Sequence, residues 1–345
     1  MMNINKEYYI DTLTILSCIA VVYLHANGIF WTHPSGRLWL TSNVIESFFY
    51  FAVPVFFMIS GATLLEYRQR YSTLTFIKKR FLRAFVPFIS WSLFAIVVFY
   101  ITVKRVPNIN EILSIPLDII NCKYFSIYWF FIPLFTCYLS IIYLSRIINF
   151  FKLSIFLILW IFISVSIFPF ISSLLHIEIN RDLLATPPGG GYIIYVIAGY
   201  LLSRYSLSSS LTKIVYLLGF AGLTLHCFGT WYLGLDVSKP INGLFKGYLN
   251  FPAIFYSIAV FLFIKNHPVK SIYFVPVVSF IAKKIKENSL GIYLIHGWFI
   301  YWIIPKIGIN QASIIYRIIG PFVIIALCLV ICSFVRKIPI LRKIV

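Results

Sequence analysis

Charge is scarce in this sequence. Asp, Glu, Lys and Arg make up only 11% of its 345 residues, and just 10 of those residues are acidic. A water-soluble domain carries about 25% charged residues. This chain cannot cover a surface against water in that way, so its solvent must be largely lipid. Cysteine is scarce as well. The six, Cys18, Cys122, Cys137, Cys227, Cys328 and Cys332, form no CxxC pair and lie mostly in apolar runs. That excludes a disulfide framework, gives no reason to expect a metal, and points to buried free thiols. No soluble linker, low-complexity tract or clear internal repeat divides the chain. No small-residue cleavage site follows the first apolar segment, so that segment reads as a retained helix rather than a signal peptide.

What remains is apolar: 61% of residues are hydrophobic and the mean hydropathy is +0.92. Ten apolar segments stand out: 8–28, 43–65, 84–103, 127–144, 153–170, 192–202, 214–233, 252–264, 289–304 and 313–334. At roughly 20 residues per span, the expectation is an all-α fold, a polytopic transmembrane helical bundle of about ten spans. Residues 1–345 then form a single integral membrane domain.

The net charge is +19. In a soluble protein that would suggest nucleic acid; here it reads as a topology signal, and no nucleic-acid partner is expected. With ten spans, 20 of the 29 Lys and Arg residues fall on the side of the N-terminus and 9 on the other. The positive-inside bias then places both termini in the cytoplasm. The opposite loops carry Trp31, His33, Trp39, Asp118, Lys123, His176, Glu178, Arg181, Asp182 and Asp236, and the turn-rich stretch Thr186-Pro-Pro-Gly-Gly-Gly191. Aromatic and mixed charged residues at a membrane face suit sugar binding, and equally suit an interfacial belt.

Polar side chains within apolar helices are costly, which makes each one a functional candidate. On the first helix Asp11, Thr14, Cys18 and His25 share roughly one face. Asp11 and His25 lie about 21 Å apart along that helix, so they cannot form a dyad and each needs partners elsewhere. For His25 the alternative is a structural histidine; for Asp11, a carboxylate at a helix N-terminus. Glu46 stands at about the depth of His25, where a Glu–His pair would tune a general base, or where a carboxylate would sit at headgroup level. Lys78-Lys79-Arg80-Phe-Leu-Arg83, followed by Pro87, places four cations at the expected start of the third helix. There the helix dipole would join them in holding phosphate, from lipid headgroups or from a phosphorylated cofactor. Tyr293 and His296 lie three apart on one face of the ninth segment.

Taken in order, these stretches resemble the acyltransferase-3 family of bacterial integral membrane O-acyltransferases. Tyr9-Ile-Asp11 through Val21-Val-Tyr-Leu-His25 is similar to the family's first-helix motif, and Val53-Pro-Val-Phe-Phe-Met-Ile-Ser-Gly61 to its second. Phe76-Ile-Lys-Lys-Arg-Phe-Leu-Arg83 with Pro87 resembles its basic stretch. Tyr128-Trp129-Phe-Phe, Gly199-Tyr-Leu-Leu and Ser289-Leu-Gly-Ile-Tyr-Leu-Ile-His296 resemble later ones. Two positions depart from the pattern: Thr14 stands where the family usually has arginine, and Ile127 where a histidine is common.

The resemblance implies transfer of an acyl group, commonly acetyl from acetyl-CoA, to a hydroxyl of a cell-envelope glycan or lipid-linked sugar at the bacterial cytoplasmic (inner) membrane. His25, Glu46 and Asp11 are the expected catalytic residues. Arg80, Arg83, Lys79 and Thr14 are expected around the acyl-CoA, and Trp129, Tyr293 and His296 around the acceptor. Membrane lipids are further partners, and no metal is expected. A glycan transporter or flippase is the competing reading, and a non-catalytic envelope assembly protein a third, prompted by the loss of the arginine.

Overall fold

A computed structural model describes residues 4–180, 184, 186, 190–269, 275–339 and 341–345, with the side chains of residues 4–7 left aside. Arg181, Asp182, Lys270 and part of the Thr186–Gly191 stretch lie outside the described residues. The architecture is all-α, and all ten apolar segments are helical.

In chain order the helices are α1 (Ile4–Ala26), α2 (Gly36–Gln69), α3 (Thr73–Thr102), α4 (Ile109–Ile120), α5 (Ser126–Ile147), α6 (Phe151–Leu175) and α7 (Ile193–Arg204). They continue as α8 (Ser209–Leu233), α9 (Phe251–Asn266), α10 (Pro276–Glu287), α11 (Ser289–Trp298) and α12 (Ile314–Val335). Among the described residues seven helices are long and apolar enough to cross a membrane: α2, α3, α5, α6, α8, α12 and α1, counted there from Tyr8. The apolar α7 and α9 have only 12 and 16 residues. Two amphipathic helices, α4 and α10, were not among the apolar segments of the sequence. The protein is a multi-pass membrane protein, and its surface is inverted accordingly. Leu217, Phe220, Phe322 and Val323 face outward, while Glu46, Asn27, His296 and Arg317 are buried. All six cysteines are free thiols, five of them buried.

Prolines set the irregularities of the helices. A proline offers no N–H to the carbonyl four residues earlier, and its ring crowds that carbonyl. Here the chain widens at that point into a π-turn. Phe81–Phe85 centres on Arg83, four before Pro87; Ile163–Ile167 centres on Val165, four before Pro169; Phe299–Ile303 centres on Tyr301, four before Pro305. In α2 the same spacing breaks the helix at Tyr50, four before Pro54. A fourth π-turn, Leu225–Gly229, has no proline. The carbonyl of its central Cys227 instead accepts a hydrogen bond from the Asn43 side chain at 2.8 Å.

One consequence corrects the expectation for the basic stretch. The third helix starts at Thr73, capped by Ser72, and not near Ala84. Lys78, Lys79, Arg80 and Arg83 therefore lie within it, where backbone N–H groups are already spent on helical hydrogen bonds. They act by side-chain charge alone, with no helix N-terminus beneath them.

α1 runs through the middle of the bundle, packed against α2, α9, α10, α11 and α12. The second half of α2 packs closely on α7. A Cβ on Gly61 would sit 1.8 Å from the Val196 carbonyl oxygen, and one on Gly199 would sit 2.1 Å from that of Met58. Only glycine at both positions lets these backbones touch, as in other small-residue helix contacts.

Candidate active site

Two cavities open along α1. The first, of about 230 Å³, is basic. Arg80 and Arg83 line it, with Thr14, Ser60, Thr63, Tyr138 and Ser289 among the polar groups around them. Arg80 is half-buried, its guanidinium 5.7 Å from the centre of the Tyr138 ring, and its Nε is buried without a hydrogen-bond partner. Arg83 is exposed at the mouth. A buried donor without a partner beside a second guanidinium is a receptive place for an anion.

Thr14 turns no donor into this cavity, because its hydroxyl already donates to the Ile10 carbonyl at 2.8 Å. The cations of the site come from α3. Lys79 is not among them: its ammonium lies 4.2 Å over the Tyr71 ring, away from the lining. Asp11 lines neither cavity; its carboxylate accepts a 2.7 Å hydrogen bond from Lys286 of α10.

The second cavity, of about 370 Å³, is aromatic. His25 and Glu46 face it among Trp31, Tyr50, Trp129, Tyr248, Tyr293 and Tyr301. Four residues, Val21, Val53, Phe130 and Tyr293, line both cavities, which therefore adjoin. The Tyr293 hydroxyl is fixed by donating to the Ile127 carbonyl. At Ile127, where the family commonly has histidine, this chain holds that hydroxyl through its backbone.

His25 does not pair with Glu46. Its Nδ1 shares a 3.2 Å hydrogen bond with the Tyr301 hydroxyl, and its ring lies 5.0 Å from that of His296. When Nδ1–H donates to the phenol oxygen, Nε2 keeps a free lone pair, the tautomer a general base needs. His296 is fully buried. Its Nδ1 faces the Ile292 carbonyl at 3.0 Å, and since a carbonyl only accepts, that nitrogen carries the proton. The bare Nε2 of His296 has no partner. Tyr293 joins the two cavities to this histidine pair, its ring 5.7 Å from that of His296.

Glu46 is almost fully buried, and its Oε2 lacks a partner. Behind it lies Lys246 from the loop between α8 and α9. Burial lowers its ammonium to a pKa of about 8, against the opposing pull of the Glu46 carboxylate. Trp129 and Tyr248 stack with ring centres 5.6 Å apart, and Tyr248 stacks on Tyr50 at 4.3 Å.

The sequence model of the acyltransferase-3 family, described as an acyltransferase domain, matches residues 7–333. The chain belongs to that family. It is a membrane acyltransferase. No curated protein and no solved structure gives a match to it.

Within this acyltransferase, sequence reasoning named His25, Glu46, Arg80, Arg83, Thr14, Trp129 and Tyr293, and the structure sets all seven on the two cavities. His296 stands just behind, its ring tilted beside that of His25. Tyr301, Tyr138, Tyr248 and Lys246 were missed. Tyr301 had a sequence signal, its place four residues before Pro305. Lys246 had only the oddity of a lysine between Phe245 and Gly247 in a loop assigned to the less basic side.

Proposed function

We propose that this acyltransferase moves an acyl group, acetyl foremost, from cytoplasmic acyl-CoA to a hydroxyl of a cell-envelope glycan such as O-antigen, capsule or exopolysaccharide. The observation that carries this reading is the pair of adjoining cavities that share four lining residues, guanidinium groups in one and His25 in the other. Arg80 and Arg83 would hold the nucleotide phosphates, charge to charge. The thioester arm would reach along α1 past Val21 and Phe130. The acceptor sugar would lie against Trp129 and Tyr248, beside His25.

His25 Nε2 takes the proton of the sugar hydroxyl as its oxygen attacks the thioester carbonyl. The C–O bond forms, the C–S bond breaks, and the departing thiolate recovers the proton. Tyr301 holds the imidazole in the useful tautomer. Glu46 accepts a hydrogen bond from a second hydroxyl of the acceptor and so orients it. Asp11, tied to Lys286, acts at a distance by fixing α1 against α10. The basic end of the bundle faces the cytoplasm of a bacterium, where acyl-CoA is made, and the protein resides in the cytoplasmic membrane among its lipids.

Mass spectrometry of surface glycans with and without the protein tests this. An acyl-sized mass difference, lost in His25→Ala while membrane insertion persists, is the expected result. Normal acylation by His25→Ala would overturn the mechanism. Transport of labelled glycan across proteoliposomes without an acyl donor would favour a transporter instead.

A further inference from the structure

The loop between α8 and α9 is built to deliver one lysine. The His33 ring lies between the carbonyls of Gly234 and Lys239, at 2.8 and 2.9 Å. The Asn250 carboxamide donates to the carbonyls of Gly243, Leu244 and Lys246 at 3.0 to 3.1 Å. The Tyr195 hydroxyl donates to the Tyr248 carbonyl. Held at both ends, the loop turns inward between these ties. It sends Lys246 into the protein, where only 7% of the residue remains exposed.

The Lys246 ammonium has no hydrogen-bond partner. It lies 4.3 Å from the centre of the Phe30 ring and 5.2 Å from that of Tyr50. Tyr50 follows Glu46 by one helical turn, so the cation sits on the side of the helix where the carboxylate sits. The charges act on one another without a direct ion pair. The other titratable groups around them are Tyr50 itself, Tyr301, Tyr248, Cys227 and His226, whose two ring nitrogens are buried and unpartnered and whose ring lies 4.4 Å from that of Tyr50.

The lining of the aromatic cavity holds one carboxylate, Glu46, and neither lysine nor arginine. Alone, a buried carboxylate would make this an attractive site for a cation. Lys246 cancels it from behind while staying out of the lining. What the cavity then offers is apolar aromatic walls, hydroxyls, one imidazole and one balanced carboxylate. A carboxylate or phosphate on the ligand would find no cation in the lining. An ammonium would find an anion already countered.

We propose that the aromatic cavity selects an uncharged sugar ring, and that Lys246 is the specificity-determining residue that makes it do so by balancing Glu46 from outside the lining. This rests on the reading that the aromatic cavity holds the acceptor, and it adds the acceptor's chemical class to that reading.

The experiment is binding of methyl hexosides to the full-length protein in nanodiscs, followed by tryptophan fluorescence through Trp129 and Trp31. Three probes are compared: a neutral hexoside, the matching uronate and the matching amino sugar. Wild-type protein is expected to bind the neutral ring at least about tenfold more tightly than either charged one. Lys246→Met, which leaves Glu46 uncompensated, is expected to raise the preference for the amino sugar over the neutral ring by about tenfold. Lys246→Arg is expected to retain the wild-type order, and the double variant Glu46→Gln with Lys246→Met to restore it. Removing half of a buried charge pair destabilises strongly, so Lys246→Met can fail to fold. The wild-type probe comparison and the double variant then still decide. Equal binding of uronate and neutral ring by wild-type protein would overturn the proposal alone, as would an unchanged order in folded Lys246→Met. Failure of any sugar to bind wild-type protein would overturn it together with the acceptor assignment.

Discussion

His25 and Tyr301, 276 positions apart in the chain, share a hydrogen bond of 3.2 Å between imidazole Nδ1 and phenol oxygen. α1 brings the histidine; the π-turn that follows α11 brings the tyrosine. When Nδ1–H donates in this bond, Nε2 is left free as the base. Tyr301→Phe is therefore expected to lower acyl transfer by roughly tenfold, about the worth of one hydrogen bond. His25→Ala should cost roughly 10² to 10⁴, the range of general-base catalysis. Glycan acylation measured by mass spectrometry on both variants, at matched expression, separates the two effects. A larger loss in Tyr301→Phe than in His25→Ala would reverse the roles given to them.

Pro305 holds the π-turn open and so sets the direction of Tyr301. Replacing it by alanine restores an N–H to the Tyr301 carbonyl and permits a regular α-turn. Pro305→Ala is expected to fold at least as stably as the parent and to lose activity about as much as Tyr301→Phe. A thermal midpoint in detergent and an acylation assay on one preparation check this. Full activity would show that the π-turn does not position the phenol.

Arg80 and Arg83 divide one task. Arg80 is half-buried with an unpartnered Nε, whereas Arg83 stands exposed at the mouth. Arg83→Gln is expected to raise KM for acyl-CoA several-fold at low salt, an effect that fades as salt screens the exposed charge. Arg80→Gln is expected to raise KM at low and high salt alike. Lys79→Gln, whose ammonium lies on Tyr71, should leave KM unchanged. Donor titrations at two ionic strengths distinguish the three.

Gly61→Ala places a carbon 1.8 Å from the Val196 carbonyl oxygen, where neither backbone has room to yield. Overpacking costs about 1–3 kcal/mol and occasionally more. The expected outcome is a lower thermal midpoint, or loss of folded protein from the membrane fraction. The same holds for Gly199→Ala against Met58.

Lys246 titrates near 8 in the folded protein, below its usual value of 10.5, because burial disfavours the ammonium. Between those two pH values the unfolded chain binds more protons than the folded one. The contribution of Lys246 to stability is then expected to rise as pH climbs from 8 towards 10.5. The difference in thermal midpoint between the wild type and folded Lys246→Met is expected to shift in favour of the wild type over that window.

The sequence by itself determined that the chain is an all-α membrane protein and where its apolar helices lie. Sparse charge and long apolar runs leave a chain in lipid few other solutions, since every backbone polar group must be satisfied within its own helix. Prolines four residues on mark three of the four π-turns among the described residues, whereas Pro116 and Pro321 sit in uninterrupted helices. His25, Glu46, Arg80 and Arg83 were legible because polar groups in apolar helices stand out. Only the tertiary structure decided their company. It gave His25 to Tyr301 rather than Glu46 and Asp11 to Lys286, and it brought the charge of Lys246 near Glu46 from a distant loop without a direct ion pair. It also placed the basic stretch inside a helix whose start the hydropathy pattern set 11 residues too late. The physical reason is the same in each case. Burial of a polar side chain is written in local sequence, but the partner that satisfies it comes from whichever helix or loop the fold packs alongside. That neighbour is set by backbone fit at places such as Gly61 and Gly199, which no local pattern of the polar residues records.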